Sequence, residues 1–158
     1  MIHIHLIILG KLKEKFWQEA EAEYLKRLQP WAKITIYELK EESFSEKNNP
    51  EQIKQKEANK ILGAVHKIKA SYTIILDEHG KQFSSVNLAQ QLKQISDTTH
   101  NLTFILGGPL GLHESILKQA NLKLSLSSLT FTHQMARVFL WEQIYRAMTI
   151  ISGKKYHY

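Results

Sequence analysis

The chain has 158 residues, no cysteine and a formal net charge of +6. One domain of this length buries enough apolar surface to need no staple, and the missing cysteines exclude a disulfide scaffold, a thiolate zinc site, an iron–sulfur cluster and a cysteine nucleophile. Seven glycines, three prolines and 43 % hydrophobic residues exclude collagen-like, proline-rich and linker-dominated chains, leaving a single domain over residues 1–158.

In chain order, Ile2–Leu9 is a short apolar run ended by Gly10, the pattern of a strand buried on both faces. It is too short and too polar for a membrane span and has no basic leader, so a cytoplasmic protein is expected. Glu14–Gln29 has helical spacing, with Phe16, Ala20, Tyr24 and Leu28 on one face, and Pro30 stops it. Lys33–Leu39 alternates as a strand, and Lys40–Asn49 is a polar loop. Asn49 and Pro50 start a helix as cap and first-turn residue. That helix is predicted to about Lys69, with Ile53, Leu62, Val65 and Ile68 inward. Tyr72–Leu76 is a β-branched strand and Asp77–Gly80 a turn. Ser84 or Ser85 caps a helix through Ile95, and Leu102–Leu106 is a strand closed by Gly107-Gly108-Pro109. A helix over His113–Ala120, a strand over Lys123–Leu126 and a helix over His133–Ile151 complete the chain. Helices alternating with apolar strands imply an α/β fold, a mostly parallel sheet covered on both faces. Ligands of such sheets bind at the strand C-terminal ends, here Gly10, Asp77, Gly107 and Ser127. The last helix is apolar on more than one face, which points to a subunit interface, with an ordinary core helix as the alternative.

Residues 11–60 carry 11 basic and 10 acidic groups, whereas residues 114–158 carry six basic and two acidic. The positive excess leans toward the C-terminal end and suggests an anionic partner, of which nucleic acid is the common one. Two segments could hold a small ligand. Ile105–Leu112 places three glycines between a strand and a helix, yet matches neither the phosphate loop nor the dinucleotide fingerprint. Ser125–Arg137 sets hydroxyls among apolar residues just before a helix. Within it His133 and Arg137 share a helix face, and Arg137 suits a phosphate or carboxylate. The plainer alternative is that Thr132 caps the helix and Arg137 pairs with a nearby carboxylate. Glu142 and Arg146 form an i, i+4 pair, on the surface or across an interface. The tail Lys154–Tyr158 combines cations and aromatics, suited to phosphate contact and base stacking, or is frayed. Asp77-Glu78, at a strand end, is a further candidate ligand contact. His3 and His5 share a strand face without a third ligand, so no metal is expected.

Six segments in order resemble one family, and the resemblance spans Ile2 to Tyr158. They are Gly10–Lys15, Leu106–His113, Leu124–Phe131, His133–Arg137, Glu142–Ala147 and Tyr156-His157. The family is the ribosomal large subunit methyltransferase H family, of the SPOUT class of α/β-knotted methyltransferases. Thr132 departs from it, standing where the family usually has proline. The resemblance implies a C-terminal trefoil knot and a homodimer whose last helices and tails form a composite site. It implies methyl transfer from S-adenosylmethionine to N3 of a pseudouridine in the helix 69 loop of 23S ribosomal RNA, in the assembled ribosome. The cofactor positions carried over are Leu76, Gly107, Leu126, Ser127, Ser128, Leu129, Thr130 and Phe131. On chemical grounds His133 or His157 would take the imide proton and Arg137 would hold an anion, phosphate or substrate. Lys154, Lys155 and Tyr156 would grip the RNA. A transfer-RNA methyltransferase of the same class, a non-catalytic RNA-binding assembly factor and a flavodoxin-like redox domain remain as rival readings of the same scaffold.

Overall fold

The structure is a computed structural model, and it describes residues 1–156. Five strands alternate with five helices. The strands are β1 (Ile2–Leu9), β2 (Ala32–Leu39), β3 (Tyr72–Lys81), β4 (Asn101–Leu106) and β5 (Leu122–Leu124). The helices are α1 (Lys15–Leu28), α2 (Pro50–Val65), α3 (Ser85–Thr98), α4 (Glu114–Leu117) and α5 (His133–Ile151). All described pairings are parallel, in the order β2-β1-β4-β3-β5. The expected α/β architecture is therefore present. A parallel sheet needs cover on both faces, and alternate residues of β1 supply two separate cores. Ile4, Leu6 and Ile8 face one side with Leu28 of α1, Leu92 of α3 and Trp141 and Ile144 of α5. Ile7 and Leu9 face the other with Ala58 and Ile61 of α2 and Ile116 of α4. Each fully buried aliphatic side chain contributes about 1.5 to 3 kcal/mol.

The helix starts follow local chemistry. Asn49, Ser84 and Thr132 each accept a backbone N–H of the first turn through the side chain. Several expectations change. The inward face of α1 is set by Glu21 and Leu28, whereas Phe16 is 61 % exposed, because α1 packs on α5 and offers Glu21 to it. Helix α2 ends at Val65, with turns over the next residues. Helix α4 is a single turn, and β5 stops at Leu124, leaving Leu126 in the following loop.

Asp77–Gly80 is not a turn. It lies inside β3, which pairs with β5 twice: Leu76 opposite Leu124, and after a bulge Lys81 opposite Leu124 again. Gly80 makes this return possible, since a Cβ there would sit 2.7 to 2.8 Å from the backbone of Lys123 and Leu124. Gly10, just past β1, has φ of +87° and donates its N–H to the Leu39 carbonyl at 2.8 Å, the left-handed turn that glycine permits.

Most of the apolar surface of α5 belongs to the core of its own chain. Val138, Leu140, Trp141, Ile144, Ala147 and Met148 are buried, so the helix is first a core helix. Phe139, 37 % exposed, and Ile151 remain on its uncovered side. No helix among the described residues is long and apolar enough to cross a membrane.

Candidate active site

The C-terminal ends of β3, β4 and β5 frame a shallow, open cleft of about 140 Å³. Its floor is apolar, from Leu76, Leu106 and Leu124, and its wall is the loop from Ser125 to Phe131. Ala136, in the first turn of α5, closes one side, and Asp77 and Glu78 of the β3 bulge close another. The loop holds its own shape. Ser125 Oγ donates to the Ser127 carbonyl at 2.9 Å, and Ser127 Oγ accepts the Leu129 N–H at 3.0 Å. The Ser125 N–H donates to the Lys81 carbonyl at 3.0 Å, tying the loop to the returning strand. Phe131 packs edge-on against Phe139 at 5.1 Å, and Leu129 stands at the rim, 72 % exposed.

Leu76, Leu126, Ser127, Leu129, Thr130 and Phe131 of the expected cofactor residues line this one cleft. Gly107 and Ser128 do not line it. Gly107 opens the adjacent turn, where a Cβ would press within 2.9 Å of the Leu112 side chain. Leu106, Leu124, Ser125 and Ala136 complete the wall and were not among the expected cofactor positions. The strand-end rule does locate Leu106 and Leu124, but Ser125 and Ala136 depend on how the loop and α5 close. The lining fits S-adenosylmethionine: apolar surface from Leu76, Leu106 and Leu124 for a flat adenine, and the Asp77 and Glu78 carboxylates for hydroxyl or ammonium groups.

Arg137 pairs with carboxylates, the plainer of the two alternatives. Its side chain is 3 % exposed and faces inward. Nε and one terminal nitrogen donate to the two Glu21 oxygens at 2.6 and 2.8 Å, and the other terminal nitrogen donates to Glu38 at 2.9 Å. Trp141 Nε1 donates to the same Glu21 carboxylate at 2.8 Å. Three of its five N–H donors are held by these carboxylates, and at 3 % exposure the side chain offers no open face to a phosphate. It joins α1, β2 and α5 instead. Burial is the largest single effect on its pKa and lowers it, but Glu21 and Glu38 together outweigh it and hold the pKa above the ordinary arginine value.

His133, the first residue of α5, is half-buried beside Gly10–Leu12, one turn before Ala136 and the cleft. Gln134, its neighbour, accepts the Lys13 N–H at 2.8 Å, so α5 begins against the loop after β1. His157 lies outside the described residues. The tail is folded back rather than frayed through Tyr156. Gly153, with φ of +67°, donates to Ile150, and Lys154 donates to Thr149, the glycine-ended helix stop. Lys154 and Lys155 are exposed, with the Lys154 ammonium 4.5 Å from the Trp31 ring centre. Tyr156 is half-buried: its ring meets Tyr145 at 4.7 Å and lies under Arg146, and its hydroxyl donates to Glu142 at 3.2 Å. Burial, then the Glu142 charge, pushes its pKa up to about 12. Glu142 also pairs with Arg146 at 2.5 Å within the helix. His3 and His5 stack at 3.9 Å at the other end of the sheet. Among the described residues no cluster of three metal-ligating side chains forms.

A family model described as predicted SPOUT methyltransferase matches residues 2–157. With nearly the whole chain matched, and a strand-end cleft built from the loop residues that the resemblance singled out, the chain belongs to the SPOUT methyltransferase family, whose members generally move a methyl group from S-adenosylmethionine to RNA.

Proposed function

We propose that the chain methylates N3 of a pseudouridine in the helix 69 loop of 23S ribosomal RNA, acting on the assembled ribosome in the cytoplasm. The observation that carries this reading is the ordered run of motifs, several of which converge on the cleft at the ends of β3, β4 and β5. The positive excess of residues 114–158 supports an RNA partner. A homodimer is part of the proposal, with Phe139 and Ile151 on the uncovered side of α5 at the contact. So is a trefoil knot in the C-terminal segment, an exception to the usual unknotted chain.

In this reading Leu76, Leu126 and the Ser127–Phe131 loop hold the cofactor, and Gly107 keeps the neighbouring turn narrow. S-adenosylmethionine supplies an electrophilic methyl on a sulfonium. The protein's own task is alignment: the loop fixes one partner while RNA contacts fix the other, and a ring nitrogen held in line reacts without further activation of the methyl. The acceptor imide must lose its proton as the new N–C bond forms. His133, a turn away from the cleft, and His157 are the proposed proton acceptors. Lys154 and Lys155 are proposed to meet phosphate. Tyr156, already packed against Tyr145 and Glu142, is proposed to order the RNA-facing tail. Arg137 positions α5 and is not assigned to RNA.

The test is methyl transfer from labelled S-adenosylmethionine to ribosomes lacking the modification, mapped by mass spectrometry. One added methyl on the helix 69 pseudouridine is the expected result. Transfer to a different RNA would overturn the substrate assignment and leave the methyltransferase intact. Cofactor binding without transfer to any RNA would favour a non-catalytic RNA-binding factor.

A further inference from the structure

A second cavity, of about 840 Å³ and open to solvent, lies on the same edge of the sheet, on the α2 side. The segment after β2, helix α2 and the Pro109-Leu110 turn enclose it. At its wall stands Glu57, only 4 % exposed. Glu57 Oε1 accepts the Glu42 N–H at 3.0 Å. Among the described residues no donor reaches Oε2. Lys60, one turn on, does not serve it: its ammonium donates to the Lys40 carbonyl at 2.7 Å and pairs with Glu42 at 2.6 Å. Gly108 faces the carboxylate, and a Cβ there would lie 3.9 Å from both oxygens, so the missing side chain leaves the approach clear. Burial pushes the Glu57 carboxyl up, and Glu41 adds to the effect. A glutamine would serve the one backbone N–H with far less desolvation cost, so the carboxylate is expensive for a merely structural role. Phe44, 51 % exposed, stands with Pro109 and Leu110 on the walls and offers flat apolar surface.

We propose that this cavity is a base-reading subsite: it takes the ring N–H edge of a guanine- or uracil-type nucleobase, with Glu57 Oε2 as acceptor and Phe44, Pro109 and Leu110 as walls. Lys40 and Lys60 line the cavity with Glu41, Glu42 and Glu57, but Lys60 is spent on Glu42 and the Lys40 carbonyl, so at Glu57 itself the unpaired oxygen favours a neutral donor edge over a phosphate. The subsite reads a neighbour of the reacting base. In the order β2-β1-β4-β3, the strand ends at the two cavities are up to three steps apart, about 14 Å at the usual spacing. The end of β4 serves both cavities, through Leu106 in one and Pro109-Leu110 in the other, so a second nucleotide of the same strand reaches this one. The inference rests on the reading of the chain as an RNA methyltransferase.

The experiment follows the amide NMR signals of Glu42, Gly108 and Leu110 in the full-length protein during titration with GMP, UMP, AMP and CMP. Affinity for S-adenosylmethionine is measured in parallel by calorimetry. GMP and UMP are expected to move these amides with about tenfold higher affinity than AMP and CMP. Glu57→Gln keeps an acceptor for the Glu42 N–H but offers a donor to the cavity, and it is expected to abolish that preference with cofactor affinity unchanged. Phe44→Ala, at an exposed side chain that cannot unfold the core, is expected to weaken all four nucleotides. Equal affinities for the four, a preference that survives Glu57→Gln, or silent amides would each overturn the subsite. Silent amides beside normal cofactor binding sink the subsite alone, whereas loss of cofactor binding in the unaltered protein sinks the methyltransferase reading beneath it.

Discussion

Replacing Arg137 by methionine separates a positioning role from a substrate-binding one. The side chain makes two charge-assisted bonds to Glu21, at 2.6 and 2.8 Å, in a site where the two side chains are 3 % and 10 % exposed. The third bond reaches Glu38, which is 39 % exposed, so water screens most of its value. Methionine fills the space but strands the Glu21 carboxylate with only the Trp141 N–H, and breaking a buried pair in this way costs about 3 to 5 kcal/mol. For a chain of this size the expected fall in Tm is roughly 10 °C. The double variant Arg137→Met with Glu21→Gln removes the stranded charge, keeps an acceptor for Trp141, and is expected to recover all but about 1 to 2 kcal/mol. Urea unfolding at one fixed protein concentration gives these values, and methyl transfer is assayed well below both transitions. The reasoning predicts that the double variant recovers stability and most of its activity together. It is refuted if Arg137→Met unfolds within about 1 kcal/mol of the parent while transfer collapses, because the arginine would then be acting on substrate.

Gly80→Ala forces a Cβ against the Lys123–Leu124 backbone, so β3 and β5 must part; a loss of about 1 to 3 kcal/mol and weaker cofactor binding by calorimetry are expected together. Leu129→Ala, at the exposed rim of the cleft, is expected to leave urea stability within about 0.5 kcal/mol while weakening cofactor binding, and unchanged binding would remove the rim from the site. His5 is held down to a pKa of about 4, by burial first and then by His3 and Lys33. The unfolded chain therefore takes up this proton first as pH falls. The stability it withholds is fully present above about pH 7 and drains between pH 6.5 and 4, by about 3 kcal/mol in total. His5→Leu should flatten that part of the pH–stability curve, and an unchanged slope would show that other groups carry it. Thr132→Ala removes the α5 cap, and a loss of about 1 kcal/mol is expected by urea unfolding.

Local chemistry made the helix starts legible: Asn49, Ser84 and Thr132 cap where their side chains allow, and α5 spans the residues its apolar content predicts. Strand-end glycines and the hydroxyl-rich Ser125–Phe131 segment located the cleft, because a parallel sheet leaves only one edge for ligands. What stayed hidden depends on partners distant in sequence. Asp77–Gly80 has the composition of a turn, and only the pairing of Lys81 with Leu124 keeps it in the strand. Arg137 looked like a phosphate ligand because its counter-charges, Glu21 and Glu38, lie 116 and 99 residues away. The same distance hides Glu57: a glutamate in a polar helix gives no local sign that it ends at a cavity beside Gly108.

Helix α5 supplies Trp141, Leu140 and Ile144 to the larger core and Ala136 to the cleft, yet it is the last helix among the described residues. On a growing chain, Leu6, Ile74 and Phe104 are made long before their cover. At ordinary synthesis rates the interval from Leu106 to Ile151 lasts about 2 to 9 seconds. Through that interval one face of the nascent sheet is covered only by α1 and α3, and the cleft lacks a wall. A stalled or prematurely terminated product would be sticky rather than partly active. Docking of α5, not completion of the sheet, is the step that closes the cleft at the ends of β3, β4 and β5.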